Sequence, residues 1–171
     1  KNSNIKLQLL IKRFLMKNLL FLLLFLPQII YATTIANCQN PEGHAYFPYA
    51  GMSPENMAGW DKDKITNGIV QLVQDEEGKF DIQFVDASKL ITSSKADGAT
   101  IIPFARNKNI ISVAAIYFGT VLETYTFIKD LSGKNEFLMT QTKVNTGFPK
   151  AGVLRGTCTF LDLSALKVTK E

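Results

Sequence analysis

Residues 109–130, NIISVAAIYFGTVLETYTFIKD, decide the fold class of this chain. Two apolar runs, residues 110–118 and 121–128, are rich in β-branched and aromatic residues and are separated only by Gly119 and Thr120. A Gly-X pair between two such runs is typical of a type II′ turn, because glycine adopts the positive φ that matches strand twist. The stretch therefore predicts a central β-hairpin that is apolar enough on both faces to lie inside the fold.

Further short strands with alternating apolar and polar residues are predicted on both sides of this hairpin. Pro103 places the end of one of them at a sheet edge or a bulge, since proline cannot donate a ladder hydrogen bond. The connections are too short for helical crossovers, which argues against a parallel sheet. The predicted strands cover residues 69–73, 80–84, 99–104, 136–144 and 153–160.

The predicted fold class is all-β: a single antiparallel meander of about seven to eight strands that forms a small barrel or a sandwich. Residues 161–171 are expected to form a short C-terminal helix or a tail. Residues 33–67 contain three prolines and three glycines, so no long regular element is expected there. We predict that this irregular N-terminal segment covers one end or edge of the sheet.

The first part of the chain has the pattern of a secretory leader. Lys17 follows the first methionine, an apolar run covers residues 19–26, and Pro27 ends that run. Ala32 is the small residue expected just before a signal-peptidase site. A transmembrane anchor would need about 20 unbroken apolar residues, and basic residues upstream together with Pro27 downstream interrupt the pattern.

The leader prediction divides the chain into an upstream extension (1–15), a signal peptide (16–32) and a single β domain (33–171). We therefore expect an exported protein, periplasmic or secreted, without a membrane span after cleavage.

Charge then excludes nucleic acid as a partner. None of the fifteen acidic residues but five of the nineteen basic ones precede Thr33, so residues 33–171 carry a net charge of −1. Nucleic-acid-binding domains carry a basic patch or stripe, which this domain lacks.

Two cysteines lie near opposite ends of the predicted domain, Cys38 and Cys158. An even pair in an exported protein is typical of a disulfide, and the alternative is two buried thiols that never meet. The disulfide would hold the N-terminal segment against the last strand.

Catalytic and metal-binding patterns are weak in this sequence. His44 is the single histidine, and no nucleophile-elbow sequence accompanies it. Asp61 and Asp63 resemble the start of a calcium loop, but Ile65 and Thr66 stand where a ligand and the turn glycine should be. We expect these aspartates to lie in a solvated turn. The sequence predicts no cofactor, no metal and no catalytic residue.

Carboxylates on strands give the alternative interpretation, a hydrolase that uses Asp81, Asp86 or Glu123. Glu123 is the most informative because it interrupts an apolar strand. If it faces inward, it needs a partner or a ligand, and Arg155 is a candidate partner. If it lies near the end of its strand, it simply reaches water.

Aromatic residues cluster in the irregular segment, at Tyr46, Phe47, Tyr49 and Trp60. They either close the end of the sheet as ordinary core or line a concave binding site. The leading function hypothesis is an exported, non-catalytic domain that binds a small apolar ligand or an envelope protein partner, and a structural or inhibitory module is a further alternative. The expected ligand-binding residues are His44, Tyr46, Tyr49, Trp60, Glu123 and Arg155.

Several short motifs resemble those of small exported bacterial β-rich proteins that have no assigned function. They are C-x-x-P-E-G at residues 38–43, GWDKD at residues 59–63, ETYTF at residues 123–127, and the late Cys158. The resemblance implies export and a β-rich domain, and it implies no activity.

Overall fold

A computed structural model describes residues 32–85 and 89–167, and the predicted upstream extension and nearly all of the signal peptide lie outside them. The described residues are all-β and form ten antiparallel strands, with no α-helix. The strands are β1 (Thr33–Phe47), β2 (Gly59–Lys64), β3 (Ile69–Gln74), β4 (Phe80–Val85), β5 (Ile91–Ser93), β6 (Thr100–Arg106), β7 (Ile110–Tyr117), β8 (Val121–Lys129), β9 (Asn135–Lys143) and β10 (Lys150–Leu161).

The strands form one sheet in the order β5-β4-β3-β1-β10-β9-β8-β7-β6, with β2 paired to the second half of β1. The sheet curls into a half-barrel, so that β4 and β6 come into contact. It is not a simple meander, because β1 lies between β3 and β10. Two runs of hairpins, one on each side, are joined through this first strand.

The prediction of an irregular N-terminal segment is wrong, because β1 is a 15-residue strand near the middle of the sheet. Pro41 lies at a bulge where β1 leaves β3 and begins to pair with β2. Asn40 adopts a φ of 56° there and donates its backbone N–H to the Gly68 carbonyl, while the Pro41 carbonyl accepts from Ile65. The missing N–H of proline therefore falls at a break in the ladder.

The predicted hairpin is present as β7 and β8, but its loop differs from the prediction. Tyr117 pairs with Val121, which leaves a three-residue loop instead of a two-residue Gly-X turn. Gly119 nevertheless has the positive φ, 81°, that the sequence required. The hairpin lies toward one end of the sheet, and its outer face is partly exposed, with Leu122 46% accessible.

The remaining strands agree broadly with the sequence. β6 lies at the sheet edge and has a bulge between Pro103 and Ala105, as proline predicted. After β10 the chain forms a 3-10 turn at Leu163–Ala165 instead of an α-helix, and Leu166 packs into the core. Cys38 and Cys158 are register partners on β1 and β10, and they form the predicted disulfide.

The core covers the inner, concave face of the sheet in successive cross-strand rows. The first row joins Ile111, Phe127 and Phe137. The rings of Phe127 and Phe137 stack with their centroids 6.1 Å apart. The second row joins Val113, Tyr125 and Met139, and the third joins Ala115, Glu123 and Gln141. The first two rows are almost wholly apolar and fully buried. A carboxylate and an amide thus occupy the third row of a buried face.

Candidate functional site

A cavity of about 350 Å³ lies on the inner face next to the row of Glu123. Its walls come from β3, β4, β7, β8 and β9, from the loop before β3 and from the loop after β5. Most of the lining is apolar, and a few polar side chains are added to it. The lining residues are Ile65, Gly68, Ile69, Val70, Phe84, Val85, Asp97, Tyr117, Val121, Glu123, Tyr125, Met139, Gln141 and Lys143.

Strand alternation places Glu123 in this cavity. Residues two apart on a strand share a face, so Glu123 points to the same side as the buried Tyr125 and Phe127. Its accessible fraction is only 7%. The interpretation in which this carboxylate simply reaches water is therefore wrong.

Two neutral side chains donate hydrogen bonds to the Glu123 carboxylate. The Tyr125 hydroxyl donates to Oε2 at 2.6 Å, and the Gln141 side-chain amide donates to Oε1. Arg155, the partner considered from the sequence, is exposed and pairs with Glu136 instead. Burial raises the pKa of Tyr125 well above its usual value, and the charge and hydrogen bond of Glu123 raise it further. Tyr125 therefore remains a neutral donor.

One further row lies beyond Glu123, where Tyr117, Val121 and Lys143 pair across the strands. All three line the cavity, and Asp97 reaches it from the loop after β5. Burial raises the pKa of Tyr117 as well. The cavity is thus bordered by two tyrosines, two carboxylates and one ammonium group.

The other predicted site residues lie elsewhere. Tyr46, Ala151, Thr142 and Leu122 form one cross-strand row. Leu122 is next to Glu123 on β8, so this row faces the opposite, outer side of the sheet. The structure therefore separates Tyr46 from Glu123.

The remaining predicted residues lie on the outer face, apart from Tyr49, which lies in the loop after β1. Tyr46 and Trp60 are in edge-to-face contact at 5.6 Å, and Trp60 is 74% exposed. Tyr49 is also exposed, so these three rings are not ordinary core. His44 and Arg155 border a separate open groove of about 790 Å³ on the outer face, together with Glu42.

Among the described residues, none of the other carboxylates considered from the sequence lines the cavity of Glu123. Asp81 accepts hydrogen bonds from the Ser93 hydroxyl at 2.6 Å and from the Lys95 N–H at 3.1 Å. Asp86 lies outside the described residues. Asp61 and Asp63 belong to β2 instead of a solvated turn, and Asp63 pairs with Lys150. Within the described part of the chain, no three His, Cys, Asp or Glu residues are grouped as a metal site.

Comparison with known proteins finds no match to a family model, to a curated protein or to a solved structure. In residues 32–85 and 89–167, no helix has the length and hydropathy needed to cross a membrane.

Proposed function

We propose that this domain is a non-catalytic binding protein that takes a small, mainly apolar ligand into the cavity beside Glu123. The observation that supports it best is a buried carboxylate facing a cavity in an otherwise apolar inner face. Ligand sites usually have volumes of about 300–1,000 Å³ and combine apolar walls with a few polar groups that orient the ligand. A volume of about 350 Å³ fits a small ligand.

The arrangement of hydrogen bonds favours binding over hydrolysis. Each oxygen of Glu123 already accepts a hydrogen bond, from Tyr125 or from Gln141. A glycoside hydrolase pairs two carboxylates at a defined separation. Asp81, the second strand-borne candidate within the described residues, accepts from Ser93 instead, and the other carboxylate of this cavity, Asp97, comes from a loop and not from a strand.

A matched pair of substitutions on β8 tests the location of the site. Val121 lines the cavity, whereas its neighbour Leu122 lies on the outer face. We expect compounds found by ligand-observed NMR screening to bind the wild type and Leu122→Trp equally. Val121→Trp should weaken their binding at least about tenfold, a difference of about 1.4 kcal/mol, because the indole occupies the cavity.

Trp60 fluorescence is unsuitable for this screen, since Trp60 lies on the outer face. The double variant Tyr46→Ala, Trp60→Ala is the control for that face. Loss of binding in this variant, with binding unchanged in Val121→Trp, would place the ligand on the outer face and contradict the proposal.

A protein partner in the cell envelope is the second candidate, and the outer aromatic patch favours it. This patch is centred on Tyr46 and Trp60, whose rings are in contact, and the exposed Tyr49, Met52 and Met57 lie between them in the sequence. Tyrosine, tryptophan and methionine are enriched at protein interfaces. A photo-crosslinking residue at position 60 should capture a defined partner in cells, whereas one at the fully exposed Leu131 should not. Equal labelling at both positions would count against this surface.

We also propose that the domain works outside the cytoplasm. The Cys38–Cys158 disulfide supports this location, since such bonds persist mainly in oxidising compartments. Expressed with its leader in a bacterial host, the protein should be recovered outside the cytoplasm, beginning at Thr33 and containing the disulfide. Mass spectrometry that finds an intact leader on the recovered protein would contradict export by cleavage.

A further inference from the structure

Glu123 forms no ion pair within the described residues. Its two hydrogen-bond partners, Tyr125 and Gln141, are neutral. Within the described residues, the ion pairs are Lys79–Glu77, Lys150–Asp63 and Arg155–Glu136, and none of them includes Glu123. A cation bound in the cavity would give this buried carboxylate the charged partner that its two neutral donors do not provide.

Two other charged side chains border the same cavity. Lys143 lies one row further toward the hairpin loop, opposite Val121 and not opposite Glu123. Asp97 reaches the cavity from the loop after β5. Two carboxylates and one ammonium group leave a formal charge of −1 around the cavity, so the walls favour a positively charged ligand.

The remaining walls are mainly apolar and can pack against the apolar part of such a ligand. Val70, Phe84 and Met139 present apolar surface to the cavity. Tyr117 and Tyr125 also line it, and aromatic residues can attract cations through their ring faces. Both tyrosines stay neutral because burial raises the pKa of each.

We propose that the ligand is a small apolar amine, whose ammonium group binds the Glu123 carboxylate while its apolar body packs against Val70, Phe84 and Met139. This inference rests on the proposed function, because it identifies the chemical class of ligand for the same cavity. Lys143 then limits affinity by repulsion, and an anionic ligand of the same size is rejected by Glu123 and Asp97.

The test compares three probes with nearly the same apolar body: phenethylamine, phenethyl alcohol and phenylacetate. Binding to the purified disulfide-bonded domain is measured by calorimetry or by NMR titration. The amine should bind at least about tenfold more tightly than the alcohol, because the ammonium group brings an opposite charge to the carboxylate as well as a hydrogen bond, whereas the neutral hydroxyl brings only the hydrogen bond. Phenylacetate should bind most weakly of the three.

Two substitutions separate the charge of the site from its shape. Glu123→Gln keeps the size of the side chain and its ability to accept from Tyr125. It should lower amine affinity to that of the alcohol and leave alcohol affinity within about threefold. Lys143→Met should tighten amine binding, and this second variant tests the same electrostatics without altering the hydrogen bonds of Glu123.

The outcomes distinguish this inference from the proposed function. If the alcohol binds and the amine shows no advantage, or if phenylacetate binds most tightly, the amine proposal is overturned and the cavity remains a binding site. If the amine keeps its advantage in Glu123→Gln, the carboxylate is not its partner and the proposal also fails. If none of the three probes binds, the amine proposal is overturned, and the NMR screen with Val121→Trp and Leu122→Trp tests the proposed function separately.

Discussion

Tyr125 donates its phenolic hydrogen to the carboxylate of Glu123, two residues earlier on the same strand, at 2.6 Å. The two side chains share the inner face of the sheet because residues two apart on a strand point the same way. A carboxylate in this position has lost most of its contact with water and depends on donors supplied by the protein. Tyr125 and Gln141 supply them, so the cavity holds a fixed acceptor group on a rigid strand.

Removing the Tyr125 hydroxyl should destabilise the domain. Tyr125→Phe keeps the ring in the core but leaves one oxygen of Glu123 without its donor. Hydrogen bonds to charged groups contribute about 1.5–3 kcal/mol, and we expect the free energy of unfolding in urea to fall by that amount. Tyr49→Phe, at a 69% exposed position, is the control and should change nothing measurable. Equal effects of the two substitutions would show that the Tyr125–Glu123 bond contributes no stability.

The raised pKa of Tyr125 should make the free energy of unfolding fall as pH rises above about 10. The pKa of Tyr125 is raised in the folded domain, whereas an unfolded tyrosine titrates near pH 10. The unfolded state therefore releases the proton first, and the stabilisation, fully present below about pH 10, is lost as pH rises toward the folded pKa. The slope attributable to Tyr125 is about 1.4 kcal/mol per pH unit. Urea unfolding above pH 10 should show this slope in the wild type and a slope reduced by that amount in Tyr125→Phe. An unchanged slope would mean that Tyr125 titrates normally.

The sequence predicted the parts of the fold that depend on local pattern. The alternation at residues 80–84 and the two apolar runs around Gly119 correspond to β4, β7 and β8 because both signals lie within a few residues. β1 was missed because its pairing is non-local: it is held by β2, β3 and β10. Pro41 looks like a breaker in the sequence, and only the change of partner strand shows why it is tolerated.

The candidate site was half predictable for a similar reason. Glu123 is conspicuous as a charge in an apolar strand, but its partner Gln141 is set by the register of β8 and β9. That register could have been derived from the turn at Gly133. Lys129 pairs with Asn135 across this turn, and six residues back along β8 and six forward along β9 lead to the pair of Glu123 and Gln141. The separation of Glu123 from Trp60 could not be predicted from the sequence, because it depends on the pairing of β2 with β1, which puts Trp60 on the outer face.

The disulfide should be a major source of stability. It joins Cys38 and Cys158 across 120 residues of sequence, and loss of a native disulfide typically costs small secreted domains in general about 2–5 kcal/mol. We expect the double variant Cys38→Ala, Cys158→Ala to lose stability in this range in urea unfolding. Reductant should destabilise the wild type similarly and have no effect on the double variant. Non-reducing peptide mapping should recover one cross-linked peptide pair, and two alkylatable thiols in the native protein would contradict the bond.

A glycine on β10 should be required for close packing of this strand against its two neighbours. A Cβ added at Gly156 would overlap the Phe137 ring and lie 2.5 Å from the Gln39 carbonyl oxygen, and neither the buried ring nor the backbone can easily move. Overpacking of this kind costs about 1–3 kcal/mol, so Gly156→Ala should lower the midpoint of urea unfolding clearly. Gly147→Ala is the matched control, because its Cβ would meet only the end of the exposed Met52 side chain, which can move away. We expect that control to stay within about 0.5 kcal/mol of the wild type. If Gly156→Ala is equally mild, the approach of β10 to β1 and β9 is looser than the structure indicates.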